Sequence, residues 1–163
     1  MAVDMFLKID DIKGESVDAT HKGEISVLSW SWGMTQSGST HHGPGSGAGK
    51  VNVNDLTFTK FVDTSTPNLI KACCAGTHFK KAQLTVRKAG NQPLEYLKIL
   101  LYDILISGVS TGGSGGEDRL TENITLNFGQ FEVDYTPQSA TGGAGATIPV
   151  TWNIQANVEK LNV

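Results

Sequence analysis

Apolar residues recur at every second position in one segment after another of this chain, while a helical spacing occurs once, and that alternation restricts it to a mainly β fold. Val3, Met5, Leu7 and Ile9 share one parity and Asp4, Phe6 and Lys8 the other, which predicts a first strand over residues 3 to 9. In residues 25 to 32, Leu28, Trp30 and Trp32 form one face and Ser29 and Ser31 its reverse, so this strand has a core side and a smooth hydroxyl side. Val51 and Val53 lie on one parity but Leu56 and Phe58 on the other, a phase change that a bulge near Asn54-Asp55 supplies. Ala82, Leu84 and Val86 alternate with Gln83, Thr85 and Arg87, and a turn over residues 88 to 93 leads into a strand from Leu94 to about Ser107. That strand is apolar on both faces, as expected of a central strand or one covered by a neighbouring subunit. Ile124, Leu126 and Phe128 change phase to Phe131, Val133 and Tyr135 at a bulge-like Gly129, and Ile148, Val150, Trp152 and Ile154 align in a last strand. The expectation is seven strands, with Trp30, Trp32, Trp152 and Tyr135 in the core and the tail after Asn157 frayed.

The helical exception is Thr66-Pro67-Asn68-Leu69-Ile70-Lys71-Ala72-Cys73-Cys74-Ala75-Gly76. Thr66 suits the cap, Pro67 the first helical position and Gly76 the left-handed stop, with Leu69, Ala72 and Cys73 turned to the sheet and Asn68 and Lys71 to water. Between the strands run glycine-rich loops. The longest, residues 36 to 50, has glycine at 38, 43, 45, 47 and 49 and little apolar surface to pack, so it is expected to project from the domain. The predicted architecture is a single-domain β-barrel of two curved antiparallel sheets over residues 1–163, with one short helix at about 66–76 and a long projecting loop at 36–50.

At 163 residues the chain is long enough to bury roughly 70% of its unfolded surface without metal or disulfide support. Its 13 Lys plus Arg are balanced by 16 Asp plus Glu with no long run of either sign, which argues against a nucleic-acid footprint or an anionic-membrane patch. No apolar run reaches the length of a membrane helix, and the N-terminus reads as a strand rather than a secretory signal. Cys73 and Cys74 are adjacent, cannot bridge each other and fit a reducing compartment, with an intersubunit thiol pairing left open.

Motifs that would carry chemistry fail on their context. The run ending Gly49-Lys50 resembles a phosphate loop, but Pro44 replaces its first glycine, Val51 follows the lysine, and a strand follows where a helix is required. Gly112-Gly-Ser114-Gly-Gly116 has the spacing of a nucleophile elbow, yet the flanks read as strands and every histidine precedes Ser114. His41-His42 has no Cys, Asp or Glu beside it, Glu117-Asp118 next to Arg119 reads as a surface ion network, and Asn123-Ile124-Thr125 matches a glycosylation sequon by pattern only. The reading is therefore no enzyme, no cofactor and no metal.

Against this background the runs Trp30-Ser-Trp-Gly-Met-Thr-Gln-Ser-Gly38, Phe58-Thr-Lys60, Ser65-Thr-Pro-Asn-Leu69, Ala72-Cys73 and Ser110-Thr-Gly-Gly-Ser-Gly-Gly-Glu-Asp-Arg-Leu-Thr-Glu-Asn-Ile-Thr-Leu-Asn-Phe128 closely resemble the Hcp family, the haemolysin-coregulated proteins of bacterial type VI secretion systems. The resemblance implies a small β-barrel that forms homohexameric rings. These stack into a tube driven outward by the contractile sheath, capped by the VgrG spike and carrying small effector proteins in its lumen. It implies a protein that is cytoplasmic before firing and then secreted without a signal peptide, with no nucleic-acid partner and no membrane insertion. On that footing Ser29, Ser31, Thr125 and Asn127 are the lumen candidates. Gln36, Ser37, Gly38, Thr40, His41, His42, Gly43, Pro44 and Lys50 are the ring-stacking candidates. The competing reading is a free-standing secreted effector or lectin-like binding module.

Overall fold

A computed structural model describes residues 3–38 and 49–163. Its strands are β1 (Val3–Ile9), β2 (Ile25–Ser26), β3 (Ser29–Ser31), β4 (Met34–Thr35), β5 (Asn52–Val53), β6 (Leu56–Phe61), β7 (His78–Lys88), β8 (Leu94–Thr111), β9 (Thr121–Asn127), β10 (Gln130–Tyr135) and β11 (Ile148–Asn153), with helix α1 (Thr66–Ala75) between β6 and β7. The main antiparallel sheet runs β2-β1-β7-β8-β9-β6-β3, with β10 and β11 branching from β8, and β4 pairs with β5 in a separate ribbon.

The 18-residue β8 is the spine, running four residues beyond its expected end at Ser107. One of its edges pairs with β7 from Leu94 to Leu105, while the other is shared: Leu97–Tyr102 bonds β10 and Leu105–Thr111 bonds β9. Asp103 sits at the changeover with φ +57, a left-handed residue that kinks the strand. Gln130 Nε2 donates to its carboxylate at 2.8 Å. Residues 121 to 135 are therefore two strands rather than one bulged strand, because β9 and β10 pair with different halves of β8. Gly129 makes the crossing where a Cβ would lie 2.8 Å from Gln155 Nε2.

Residues 25 to 32 divide for a related reason. The Val27 amide donates to Met5 in β1 (2.9 Å) and the next amide, Leu28, donates to Thr59 in β6 (2.8 Å), so this segment steps from one end of the sheet to the other and ties the roll together. The step costs the expected parity. Ile25 and Val27 are buried, Leu28 is 41% exposed, and Trp30 and Trp32 are half-buried against the core. The phase change at Asn54-Asp55 is likewise a full break between β5 and β6. Splitting these three segments and adding β4 raises the seven expected strands to eleven among the described residues.

The rolled sheet encloses one contiguous core, with Leu7, Ile25, Leu56, Leu84, Ile99 and Ile124 almost wholly buried. α1 closes it from the side: Leu69 and Ala72 are buried, Cys73 is half-buried against the core, and Asn68 and Lys71 face solvent as expected. Gly76 ends the helix at φ +65. Thr66 does not cap it. The cap position is Ser65, whose amide is taken by the Asp63 carboxylate at 2.9 Å, and the Thr66 hydroxyl points inward.

Three further expectations change. Phe6, placed with the polar parity of β1, is buried because residues 10 to 24 fold back over it. Tyr135 is 47% exposed because β10 and β11 run past the end of the core. The tail does not fray: Val158 exchanges backbone bonds with Asn153, and the Asn162 amide donates to the Gln130 side chain at 2.6 Å.

Candidate functional site

Strand register brings the lumen candidates onto one face. Ser29 and Ser31 lie opposite Thr59 and Thr57 of β6, which in turn lie opposite Asn123 and Thr125 of β9, with Asn127 two residues further along the same face. Ser29, Ser31, Asn123 and Asn127 are exposed, and Thr57, Thr59 and Thr125 are partly so. The side chains bond to one another: Thr59 donates to Asn123 at 2.6 Å, the Thr57 and Thr125 hydroxyls are 3.3 Å apart, and Asn127 Nδ2 and Ser107 Oγ both donate to Asp55 (2.8 and 2.7 Å). The result is a surface of short polar groups, most of them bonded to a neighbour on the same face. The alternation of β3 and β9 makes this legible; Thr57, Thr59 and Asn123 were missed, although their alternation with Phe58 and Ile124 is the same signal.

The stacking candidates are placed less completely. Gln36, Ser37, Gly38 and Lys50 are exposed at the base of the loop, where β4 and β5 pair Met34 with Val53 and Thr35 with Asn52. Thr40, His41, His42, Gly43 and Pro44 lie outside the described residues.

A second surface is apolar. Down the paired strands β10 and β11, Phe131 faces Trp152, Val133 faces Val150 and Tyr135 faces Ile148. Burial fades along this ladder until Val150 and Ile148 are 55% and 63% exposed. Between this arm and the β4–β5 ribbon lies an open groove of about 510 Å³ lined by Trp32, Met34, Val51, Val53, Val133, Val150 and Trp152, among others. Trp32 anchors its floor edge-on to Phe131, ring centroids 4.9 Å apart, and donates its indole hydrogen to Asn54 O at 2.9 Å.

Two polar clusters had no counterpart in the sequence reading. Inside the core, Lys60 of β6 lies directly across from Glu122 of β9, Nζ to Oε1 2.5 Å, and both side chains are fully buried. Asp63 (2.8 Å), the Phe61 carbonyl (3.0 Å) and the Thr66 hydroxyl (3.2 Å) also accept from the ammonium, and Thr66 donates to Glu122 at 2.6 Å. Over the other face of β1, Asp18 and Asp4 grip Arg87, and His21 stacks on Phe6 between Glu24 and Glu95. The signal available was Phe6 out of phase beside a loop dense in acids.

The Arg87 hydrogen bonds hold the Asp18 carboxyl well below the usual carboxylate range. Burial works against ionisation of Glu95, but the hydrogen bonds from His21 and Lys98 outweigh it and its value is lowered. On β10 the balance reverses: burial, then the neighbouring Asp134, raise Glu132. Lowered folded-state values for Asp18 and Glu95 mean that the unfolded chain binds protons more readily. Their stabilisation is complete above roughly pH 4 to 5 and is lost as pH falls below that. Asp18→Asn is therefore expected to flatten the acid limb of thermal stability between roughly pH 5 and pH 2, checked by melts at matched protein concentration.

Ser114 lies in an exposed loop leading from β8 to β9 with no helix after it. Glu117, Asp118 and Arg119 form no ion pair with one another; Arg119 instead lies over the Phe61 ring at 3.9 Å. Cys73 and Cys74 are free thiols. Among the described residues no cluster of His, Cys, Asp and Glu is arranged for a metal, and no helix is long and apolar enough to cross a membrane.

Comparison with known proteins agrees with the resemblance. The chain is 63% identical over 161 residues to protein hcp1 of Pseudomonas aeruginosa, covering 98% of this chain and 99% of that protein. Its fold matches the crystal structure of Hcp1 from Salmonella typhimurium (TM-score 0.83, 42% identity, 98% of this chain and 100% of that one). It also matches that of a type VI secretion system effector from Yersinia pestis (TM-score 0.75, 37% identity, 92% and 99%). The family described as "Type VI secretion system effector, Hcp" matches residues 6–135, which take in the polar face, the buried Lys60–Glu122 pair and the β8 spine alike, and the chain belongs to the Hcp family of type VI secretion proteins.

Proposed function

We propose that this protein is the structural tube component of a type VI secretion system. In this reading the whole chain, residues 1–163, is one Hcp-like domain that closes into homohexameric rings. The rings stack into a tube expelled by sheath contraction beneath the VgrG spike, with small effector proteins in the lumen. The protein is held in the cytoplasm until firing and needs no cofactor.

The observation that carries the reading is the separation of two unlike surfaces. Ring closure by a repeated head-to-tail contact needs a patch able to bury apolar area, and a tube needs a separate polar wall turned to its lumen. The arm of Tyr135, Ile148 and Val150 with the adjoining groove offers the apolar patch. The Ser29–Thr59–Asn123 and Ser31–Thr57–Thr125 rows lie on other strands, and their short polar side chains, with Thr59 bonded to Asn123 and Thr57 to Thr125, suit a lumen wall that cargo touches without being trapped. The exposed base of the 36–50 loop is the stacking contact in this scheme.

Purified protein is expected to give annular particles by negative-stain electron microscopy. A field of monomers at tens of micromolar would overturn the tube reading, and sugar binding by such monomers would favour the lectin-like one. Ser31→Gln is expected to leave rings intact while reducing effector co-purification; unchanged retention removes Ser31 from the lumen.

A further inference from the structure

We infer that residues 10 to 24 form a strap with a pH-sensitive latch, closed by a doubly protonated His21 between Glu24 and Glu95. The inference is independent of the assembly reading. His21 is 7% exposed and stacked on Phe6, ring centroids 4.4 Å apart and nearly parallel. Nδ1 lies 2.8 Å from Glu24 Oε2 and Nε2 lies 2.7 Å from Glu95 Oε1. Carboxylates only accept, so each ring nitrogen must carry a hydrogen, a condition that only the imidazolium meets. Loss of one proton turns a donor into a lone pair facing a carboxylate oxygen, in a site with little water to intervene.

The charged neighbours sort the strap into two halves. From β7, Arg87 binds Asp18 of the strap through two nitrogens (2.6 and 3.0 Å) and Asp4 of β1 through one (3.1 Å). That guanidinium stays charged at every accessible pH, so the Asp18 anchor persists. From β8, Lys98 lies 3.3 Å from the other oxygen of Glu95 and joins His21 in favouring the ionised carboxylate. The strap's own Asp18 also accepts the His21 backbone amide at 3.3 Å. The part of the strap that hangs on a removable proton is thus the His21 latch. The backbone bonds it secures are Gly23 to Ser16 (2.8 Å), Ser16 to Glu24 (3.0 Å) and Gly14 to Gly23 (2.9 Å).

Hydrogen–deuterium exchange on the full chain tests this, with rates corrected for intrinsic pH dependence. Amides of residues 14 to 24 are expected to open about tenfold more readily at about pH 8.5 than at about pH 5.5, while those of β7 do not change. His21→Gln, with a single donor group, is expected to exchange rapidly at both. Should that variant fail to fold, ring ¹⁵N shifts of the wild-type protein decide: both nitrogens must appear protonated at the lower pH, and strap amide shifts must move with the ring's own midpoint. Equal protection at the two pH values, a pH step that persists in His21→Gln, or a ring that titrates while the strap stays unmoved would each overturn the latch.

Discussion

Lys60→Met is expected to lower the melting temperature by about 6 to 20 °C, the shift that about 3 to 5 kcal/mol produces in a chain of this length. The size follows from what is left behind. Lys60 and Glu122 are cross-strand neighbours facing into the core, both fully buried, and the ammonium also satisfies Asp63 and the Thr66 hydroxyl. Without it, one wholly buried carboxylate and one nearly so remain with no cation among the described residues, where Glu122 Oε2 already has no hydrogen-bond partner. The pair itself contributes less than its removal costs, since desolvation offsets most of the attraction. The double variant Lys60→Met/Glu122→Leu should therefore recover much of the loss, with Asp63 and Thr66 setting the remainder. Melts must be compared at one protein concentration, because self-association raises apparent stability. A single-variant loss below about 1 kcal/mol would show that water reaches the site or that Glu122 takes up a proton.

The cluster also shows where sequence reading reached its limit. Alternation placed Lys60 in phase with Leu56 and Phe58, on the buried side of β6, and Glu122 in phase with Ile124 and Leu126. Each residue alone reads as a strand end turning to solvent, and only the register between β6 and β9 makes them partners. The same holds for the surfaces. Ser29, Ser31, Thr125 and Asn127 were legible as hydroxyl and amide positions opposite apolar ones, because parity within a strand is local. Their meeting on one face depends on β3, β6 and β9 being neighbours, which no local pattern encodes. Leu28 and Tyr135 failed for opposite reasons. At Leu28 the chain changes partner strand and loses phase, whereas at Tyr135 the phase is kept but the core has ended. His21 was invisible because its partner Glu95 is 74 residues away.

Gly14→Ala is expected to cost about 3 kcal/mol or more, the upper part of the range for forcing atoms into an occupied space. A Cβ at position 14 would stand 2.5 Å from the Glu24 carbonyl oxygen and 2.7 Å from the Ile25 Cα. Both are backbone atoms, with no side chain free to rotate away. Ile25 is wholly buried and paired with Leu7, so the strand cannot yield without disturbing the core. The strap must move instead, giving up the Gly14 bond to Gly23 and loosening the segment that holds Asp18 against Arg87. Two other glycines separate this cause from loss of glycine as such. Gly23 has open space but φ +76, so alanine there incurs only the left-handed penalty of about 1 to 2 kcal/mol. Gly116 has open space and no such φ, so alanine should be neutral or stabilise by up to about 1 kcal/mol through the unfolded chain. Urea melts of the three variants should rank them Gly14, Gly23, Gly116 in order of loss. If Gly14→Ala lost no more than Gly23→Ala, the strap would have room to shift on β2, and its close approach would not be what holds residues 10 to 24 in place.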